Sequence, residues 1–270
     1  MCELLALSAS APVDIKLSLS VLARHGGKTG SHADGWGVAY FEGPDVQVFR
    51  EAGPAAGSPL VDCLQRHPRH SSTVVAHVRQ ATRGDISLAN TQPFARELAG
   101  RMHVFAHNGT LAGITERKWA PRRFQSIGVT DSELAFCELL ERFARKYEGT
   151  STLTLVDGLL IFTGFAAEMR CLGPANFILA MNETIFVHSD RRTQRPGVIE
   201  PPGLWLLERR CSLEALSAFS AAGVTLAPAT ALNVALVASV PLTSEPWRPL
   251  PQGKAVVLSR GTVQDAPEID

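Results

Sequence analysis

Cysteine is a small and strongly nucleophilic side chain, and this chain carries one at position 2, directly ahead of the apolar run Glu3-Leu4-Leu5-Ala6-Leu7-Ser8. Removal of Met1, which the small residue behind it permits, leaves Cys2 with both a thiol and a free α-amine. A model α-amine has a pKa of about 7.7–8.0 and a Cys thiol about 8.5, so proton transfer between them is nearly balanced close to neutrality. An N-terminal nucleophile can use its own amine as the activating base. Position alone does not establish this chemistry; the thiol needs an oxyanion site and a substrate grip from elsewhere in the chain.

Three segments supply those parts. Arg79-Gln80-Ala81-Thr82-Arg83-Gly84 leaves a strand with a planar guanidinium suited to a carboxylate. His107-Asn108-Gly109 also ends a strand. Asn-Gly is a common turn dipeptide, but an Asn amide followed by a Gly backbone N–H can also cradle an oxyanion. Asp131 opens a helix, where it complements the helix dipole or pairs with a ligand ammonium. Thiol, amine, oxyanion hole, carboxylate receptor and ammonium receptor together describe a site for a free amino acid with a reactive side-chain carbonyl. Glutamine is the natural candidate.

The elements that must position these residues follow from local pattern. Residues 3–8 read as a buried strand. Asp14 is placed to cap a helix from Ile15 to about His25, stopped by Gly26-Gly27. A polar loop covers 26–35. Gly35-Trp36-Gly37 enters a strand that turns back at Gly43-Pro44-Asp45. Ser58-Pro59 starts a helix that ends before Pro68. Residues 73–79 and 102–107 form strands separated by a long polar loop from Gln80 to Pro93. Thr130-Asp131-Ser132-Glu133 is a capping box, with its helix running to about Tyr147. Further helices are expected at 152–169 and 212–222. A hairpin turning at Asn182-Glu183 spans 177–189, and strands lie near 204–209, 231–240 and 254–260. Helices and strands come in blocks rather than βαβ units, which gives an α+β fold of antiparallel sheets with helices outside.

Composition narrows the rest. The chain has 270 residues, 45% hydrophobic and 19% charged, with zero formal net charge, and reads as a single domain over 1–270. No global basic field recruits nucleic acid or anionic lipid, and no apolar stretch reaches the roughly 18 residues of a membrane span. The start lacks a basic leader, and the five cysteines, odd in number and widely spaced, fit a reducing cytoplasm. Cys63, Cys137, Cys171 and Cys211 read as buried small hydrophobes. His103 and His107 share one strand face, but no ligand sits at metal spacing, so they read as structural and neither metal nor cofactor is expected.

The order of motifs resembles the class II glutamine amidotransferases of the N-terminal-nucleophile hydrolase superfamily. It runs Cys2, Asp34-Gly35-Trp36-Gly37, His77-Val78-Arg79-Gln80-Ala81-Thr82, His107-Asn108-Gly109-Thr110-Leu111, Thr130-Asp131-Ser132-Glu133 and, near the end, Val240-Pro241-Leu242-Thr243. The likeness is strongest to short, stand-alone bacterial members and is tightest over 1–135. It implies a four-layer αββα sandwich of two antiparallel sheets between helices. It implies that Cys2 attacks a γ-glutamyl amide while Asn108 and Gly109 hold the oxyanion. Arg79 and Thr82 would take the α-carboxylate and Asp131 the α-ammonium, with Gln80 and Arg83 as pocket neighbours. Glutamine would be cleaved to glutamate and ammonia by an enzyme either free-standing or supplying a separate synthase; a modified γ-glutamyl compound is the alternative substrate, and a non-catalytic glutamine-binding subunit the alternative role. A homodimer is expected by analogy. Two departures stand out. Gln92 occupies a position where many relatives carry His, and the 26–33 loop lacks the Arg-Gly pair common in larger synthases.

Overall fold

The chain enters on a 13-residue strand, β1 (Glu3–Ile15), whose neighbours on both sides arrive much later in sequence. The computed structural model describes residues 2–15, 17–30, 32–82, 84–117, 123–148, 153–211, 224–226 and 232–265. After β1 come α1 (Leu17–His25), β2 (Trp36–Glu42), β3 (Asp45–Glu51), α2 (Pro59–Arg66), β4 (His70–Val78), β5 (Phe94–Leu98) and β6 (Arg101–Gly109). The middle of the chain forms α3 (Asp131–Tyr147), α4 (Leu155–Arg170), β7 (Ala175–Met181), β8 (Thr184–His188), β9 (Arg192–Arg195) and β10 (Val198–Glu200). The remainder is β11 (Trp205–Cys211), β12 (Val224–Leu226), β13 (Leu232–Ala238), β14 (Arg248–Pro249), β15 (Ala255–Ser259) and β16 (Thr262–Asp265).

One large sheet runs β14-β11-β13-β1-β4-β2-β3, with β12 also on β1; a second runs β16-β15-β8-β7-β6-β5, and β9 and β10 pair as a separate two-stranded ribbon. Every pairing is antiparallel. The strands read as continuous apolar runs because both faces are buried. Leu5 and Leu7 face α1 and α2 together with Trp36, Val38 and Val74, while Leu4 and Ala6 face the second sheet together with Ala39, Val75, Val104 and Ala106. The outer face of the second sheet carries Phe105, Phe177 and Phe186 against Phe136, Phe143 and Phe162 of α3 and α4. The result is the four-layer αββα sandwich that the motif order implies.

Side-chain alternation then decides where the chemistry sits. Cys2 shares a face with Leu4 and Ala6, Arg79 with Val75 and His77, and Asn108 with Val104 and Ala106. All three therefore belong to the layer between the sheets. The register places Glu3 opposite Val78, so Cys2 and Arg79 leave neighbouring strands side by side.

Several expectations change. β1 continues to Ile15, so Asp14 lies in a strand and does not cap α1. Its backbone pairs with Thr225 on one side and His70 on the other, and its carboxylate meets His70 Nε2 at 3.0 Å. A two-sided ladder outweighs a single cap, worth about 1 kcal/mol. The β5–β6 hairpin is absent from the sequence reading because its two-residue turn is Ala99-Gly100, both at positive φ (54° and 76°). Ala gives no turn signal there. Cys137 is buried as expected, but Cys63 and Cys171 are exposed, the first on the solvent side of α2 and the second just past the end of α4. The side chain of Cys211 and the helix expected at 212–222 lie outside the described residues. No helix among the described residues is long and apolar enough to cross a membrane.

The N-terminal strand is tied to α1 by Glu3, whose carboxylate lies 2.7 Å from His25 Nδ1. Burial works against the charged Glu3, but the His25 hydrogen bond and the His25, His32 and Arg192 charges outweigh it and lower its pKa. The same bond raises that of His25, against burial. Stability from the raised His is present below its ordinary 6.5 and is lost as pH rises through the folded value. Stability from the lowered Glu is present above 4.5 and is lost as pH falls through its folded value. His25→Ala should thus destabilise most between those two ordinary values and less on either side, as read by thermal melts across pH.

Candidate active site

The Cys2 thiol lies against the backbone of Gln80. The Gln80 N–H donates to Sγ at 3.4 Å, and the thiol faces the Gln80 carbonyl at 3.5 Å. Burial pushes the thiol pKa up; the Gln80 hydrogen bond and the Arg79 charge pull it down, and the Asp131 carboxylate raises it again. The net shift is upward, so the resting group is a neutral thiol, and attack requires a base to remove its proton.

Arg79 is buried, and its guanidinium donates to the carbonyls of Asp34 (3.3 Å), Gly84 (3.2 Å) and Asp85 (3.1 Å). Asp34 also accepts the Ala81 N–H on its carboxylate at 2.8 Å. The Asp34-Gly35-Trp36-Gly37 segment is therefore the brace of the loop that follows Arg79. Its glycines are needed for close approach: a Cβ on Gly37 would stand 2.5 Å from the Gln92 carbonyl, and one on Gly35, at φ +140°, 2.8 Å from Thr91 Oγ1. Beneath Arg79, His77 is fully buried with neither ring nitrogen hydrogen-bonded. Burial, reinforced by the Arg79 charge, drives its pKa down to about 3, so it is a neutral filler of the layer between the sheets.

Asn108 is fully buried at the end of β6, where its Nδ2 lies 3.1 Å from Ser239 Oγ. Ser239 Oγ also accepts the Leu4 N–H at 3.0 Å, which joins Asn108 to the strand that carries Cys2. The Asn108 carbonyl takes a hydrogen bond from Asn176 Nδ2 at 2.9 Å. Gly109 admits no side chain: a Cβ there would lie 1.8 Å from the Pro174 carbonyl oxygen and 2.6 Å from His107 Nε2. Gly109→Ala should displace the end of β6, lowering the melting temperature and removing turnover together; an unshifted melt with full turnover contradicts this geometry.

Asp131 is the first residue of α3 and is buried. Its Oδ2 accepts the Leu111 N–H at 2.7 Å and its Oδ1 the Ser132 N–H at 2.8 Å. These bonds fix the carboxylate and leave lone pairs for a further donor. Thr130 caps the helix through the Glu133 N–H, but the Glu133 carboxylate turns away to the Gly128 N–H and Arg96, so the capping box is half formed. His107 braces the same corner. Burial keeps it neutral, and its Nε2–H faces the Pro174 carbonyl at 3.2 Å, leaving Nδ1 to accept the Ser132 hydroxyl at 2.9 Å.

A model of the class II glutamine amidotransferases matches residues 1–269. The chain belongs to that family. An amidotransferase relative named as a candidate enzyme, YafJ of Escherichia coli, is 41% identical over 180 residues, covering 67% of this chain and 69% of YafJ. A protein of Methanocaldococcus jannaschii is 28% identical over 97% of this chain and 70% of its own length. Among solved structures, a predicted glutamine amidotransferase from Pseudomonas aeruginosa PA01 superposes with a TM-score of 0.69 at 30% identity, covering 98% of this chain and all of that one. The glutamine phosphoribosylpyrophosphate amidotransferase of B. subtilis shares the fold, with a TM-score of 0.57 at 13% identity, and this chain covers 98% of itself but 49% of that larger chain.

Of the residues singled out in the sequence, Cys2 and Arg79 leave paired strands, Asn108 is joined through Ser239 to the strand that follows Cys2, Gly109 comes next to Asn108, and Asp131 opens α3. Gln80 joins them through its backbone. Thr82 is exposed, and Arg83 lies outside the described residues. Gln92 has a defined role. Its carboxamide accepts the His107 N–H at 2.6 Å and donates to the His107 carbonyl at 3.3 Å. It continues the β5–β6 ladder past Pro93, which has no N–H to offer. Three residues were not foreseen: Ser239, Asn176, and Arg192, whose buried guanidinium donates to the Ser239 carbonyl. The usable signal for Ser239 was its place directly before the Val240-Pro241-Leu242-Thr243 segment.

Proposed function

We propose that this chain hydrolyses the side-chain amide of glutamine, or of a closely related γ-glutamyl amide, through a thioester on Cys2. The observation that carries the reading is the junction of Asn108, through Ser239, to the strand bearing Cys2. It sets a carboxamide and a thiol from different sheets at one end of the sandwich.

With Met1 removed, the Cys2 α-amine takes the thiol proton, and sulfur attacks the amide carbon. The oxygen gains charge that Asn108 Nδ2 and the Gly109 N–H stabilise; losing one such donor costs about 2.7–4 kcal/mol of barrier. The C–N bond then breaks, the ammonium returns its proton to the leaving nitrogen, and ammonia departs. Water, deprotonated by the amine, attacks the thioester; the C–S bond breaks, glutamate leaves and the thiol is restored. Arg79 and Asp131 hold the α-carboxylate and α-ammonium throughout, with Thr82 assisting at the carboxylate. On this reading residues 1–270 act as one glutaminase unit, and the ammonia passes to a separate acceptor enzyme.

The test is a substrate panel of glutamine, γ-glutamyl amines and γ-glutamyl peptides, read by release of ammonia or amine. Turnover of glutamine supports the reading; preference for a substituted amide moves the substrate within the same chemistry. A folded, Met1-free protein that turns over none of them contradicts it and leaves a binding role.

A further inference from the structure

The carboxamide of Asn108 has one shape and two ways of placing its nitrogen. With Nδ2 toward Ser239, two N–H donors, from Leu4 and Asn108, converge on the same hydroxyl oxygen. Oδ1 is then buried without any hydrogen-bond partner. Ser239 is itself fully buried, and its remaining contacts are made by its backbone: its N–H donates to the Leu4 carbonyl at 3.0 Å and its carbonyl accepts from Arg192. Its hydroxyl hydrogen has Asn108 within reach and nothing to donate to there. A buried acceptor left unpaired costs about 1–3 kcal/mol.

Turning the carboxamide over removes the conflict. Ser239 Oγ still accepts from Leu4, its O–H donates to Asn108 Oδ1, and the Nδ2 hydrogens take the buried position of the oxygen that had no partner. Both Nδ2–H donors then point away from Ser239 at rest. A donor held ready in this way is what a transient oxyanion requires. We propose that Ser239 is a positioning residue: it orients the Asn108 carboxamide, nitrogen toward the reacting carbonyl, and locks that orientation to the Cys2 strand through Leu4. Asn108 touches the substrate; Ser239 acts through it. The inference rests on the amide-hydrolase reading for its kinetic consequence but not for the geometry.

Two measurements test it. In steady-state kinetics with the substrate the panel selects, Ser239→Ala should lower kcat about 10- to 100-fold, short of the roughly 100- to 1,000-fold loss for a missing oxyanion donor. KM should not move. Ser239→Thr should restore most of the rate. The Ser239→Ala/Asn108→Ala double variant should be no slower than Asn108→Ala alone, because one effect runs through the other. Alkylation of Cys2 by iodoacetamide, which needs no oxyanion hole, should stay at the wild-type rate in Ser239→Ala. Additive losses in the double variant, or equal losses of alkylation and turnover, overturn the proposal and make Ser239 a structural brace. The second measurement needs no turnover: in asparagine-labelled wild-type protein, nuclear Overhauser contacts of the Asn108 Nδ2 protons report which corner they occupy. Absence of a contact to the Leu4 amide proton, with contacts to groups lining the site, supports the proposal; a strong contact to Leu4 and Ser239 overturns it. Should the wild type cleave no γ-glutamyl amide, the amidase reading falls while this spectrum still decides the orientation.

Discussion

Cys2→Ala is expected to reduce ammonia release from glutamine by at least about 10⁴-fold, on the scale seen when a covalent nucleophile is removed. The fold should survive the change. The Cys2 side chain is only part-buried, and its hydrogen-bond contacts are the two with the Gln80 backbone. A melt close to wild type alongside lost turnover separates a chemical role from a structural one. The thiol's pH response carries the same information. Because burial raises its pKa, alkylation of Cys2 should still be climbing above the ordinary thiol value of about 8.5, whereas turnover, which uses the α-amine as base, should already have risen with a pKa of about 7.7–8.0. Identical profiles would mean that the amine is not the base.

Arg79→Lys should raise KM for the γ-glutamyl substrate about 100-fold or more, with a much smaller change in kcat. Breaking a buried, hydrogen-bonded charge contact costs about 2–5 kcal/mol. A carboxylate grip remote from the reacting amide acts equally on the bound substrate and the transition state, so its loss appears in KM. Lys keeps the positive charge but not the fork. The same substitution severs the ties to the Asp34, Gly84 and Asp85 carbonyls. Limited proteolysis between residues 80 and 90 should therefore accelerate in the variant. Unchanged KM with an intact loop would place the carboxylate elsewhere.

The residues legible in the sequence were those whose types announce a job. A thiol at position 2, an Asn-Gly at a strand end and an Asp at a helix start each have a physical meaning that spacing and order bring together. Strand alternation then accounts for why Cys2, Arg79 and Asn108 belong to one layer. What escaped reading is long-range or generic. Ser239 bonds Leu4 across 235 positions, and a serine in an apolar strand end advertises nothing by itself. Gln92 looked like a lost histidine, yet its amide substitutes for backbone opposite His107. Asp14 was misread because capping is a local signal and strand pairing with Thr225 and His70 is not. The β5–β6 hairpin hid behind an alanine at positive φ.

The central claim is a γ-glutamyl thioester on an N-terminal Cys2, and intact-mass spectrometry of the acid-quenched protein mixed with substrate tests it most directly. The expected spectrum shows a chain lacking Met1 and carrying one γ-glutamyl group, with fragmentation placing that group on Cys2 and none of it in Cys2→Ala. Turnover by a chain that retains Met1, or by a processed chain whose acyl group sits elsewhere or never forms, would contradict it.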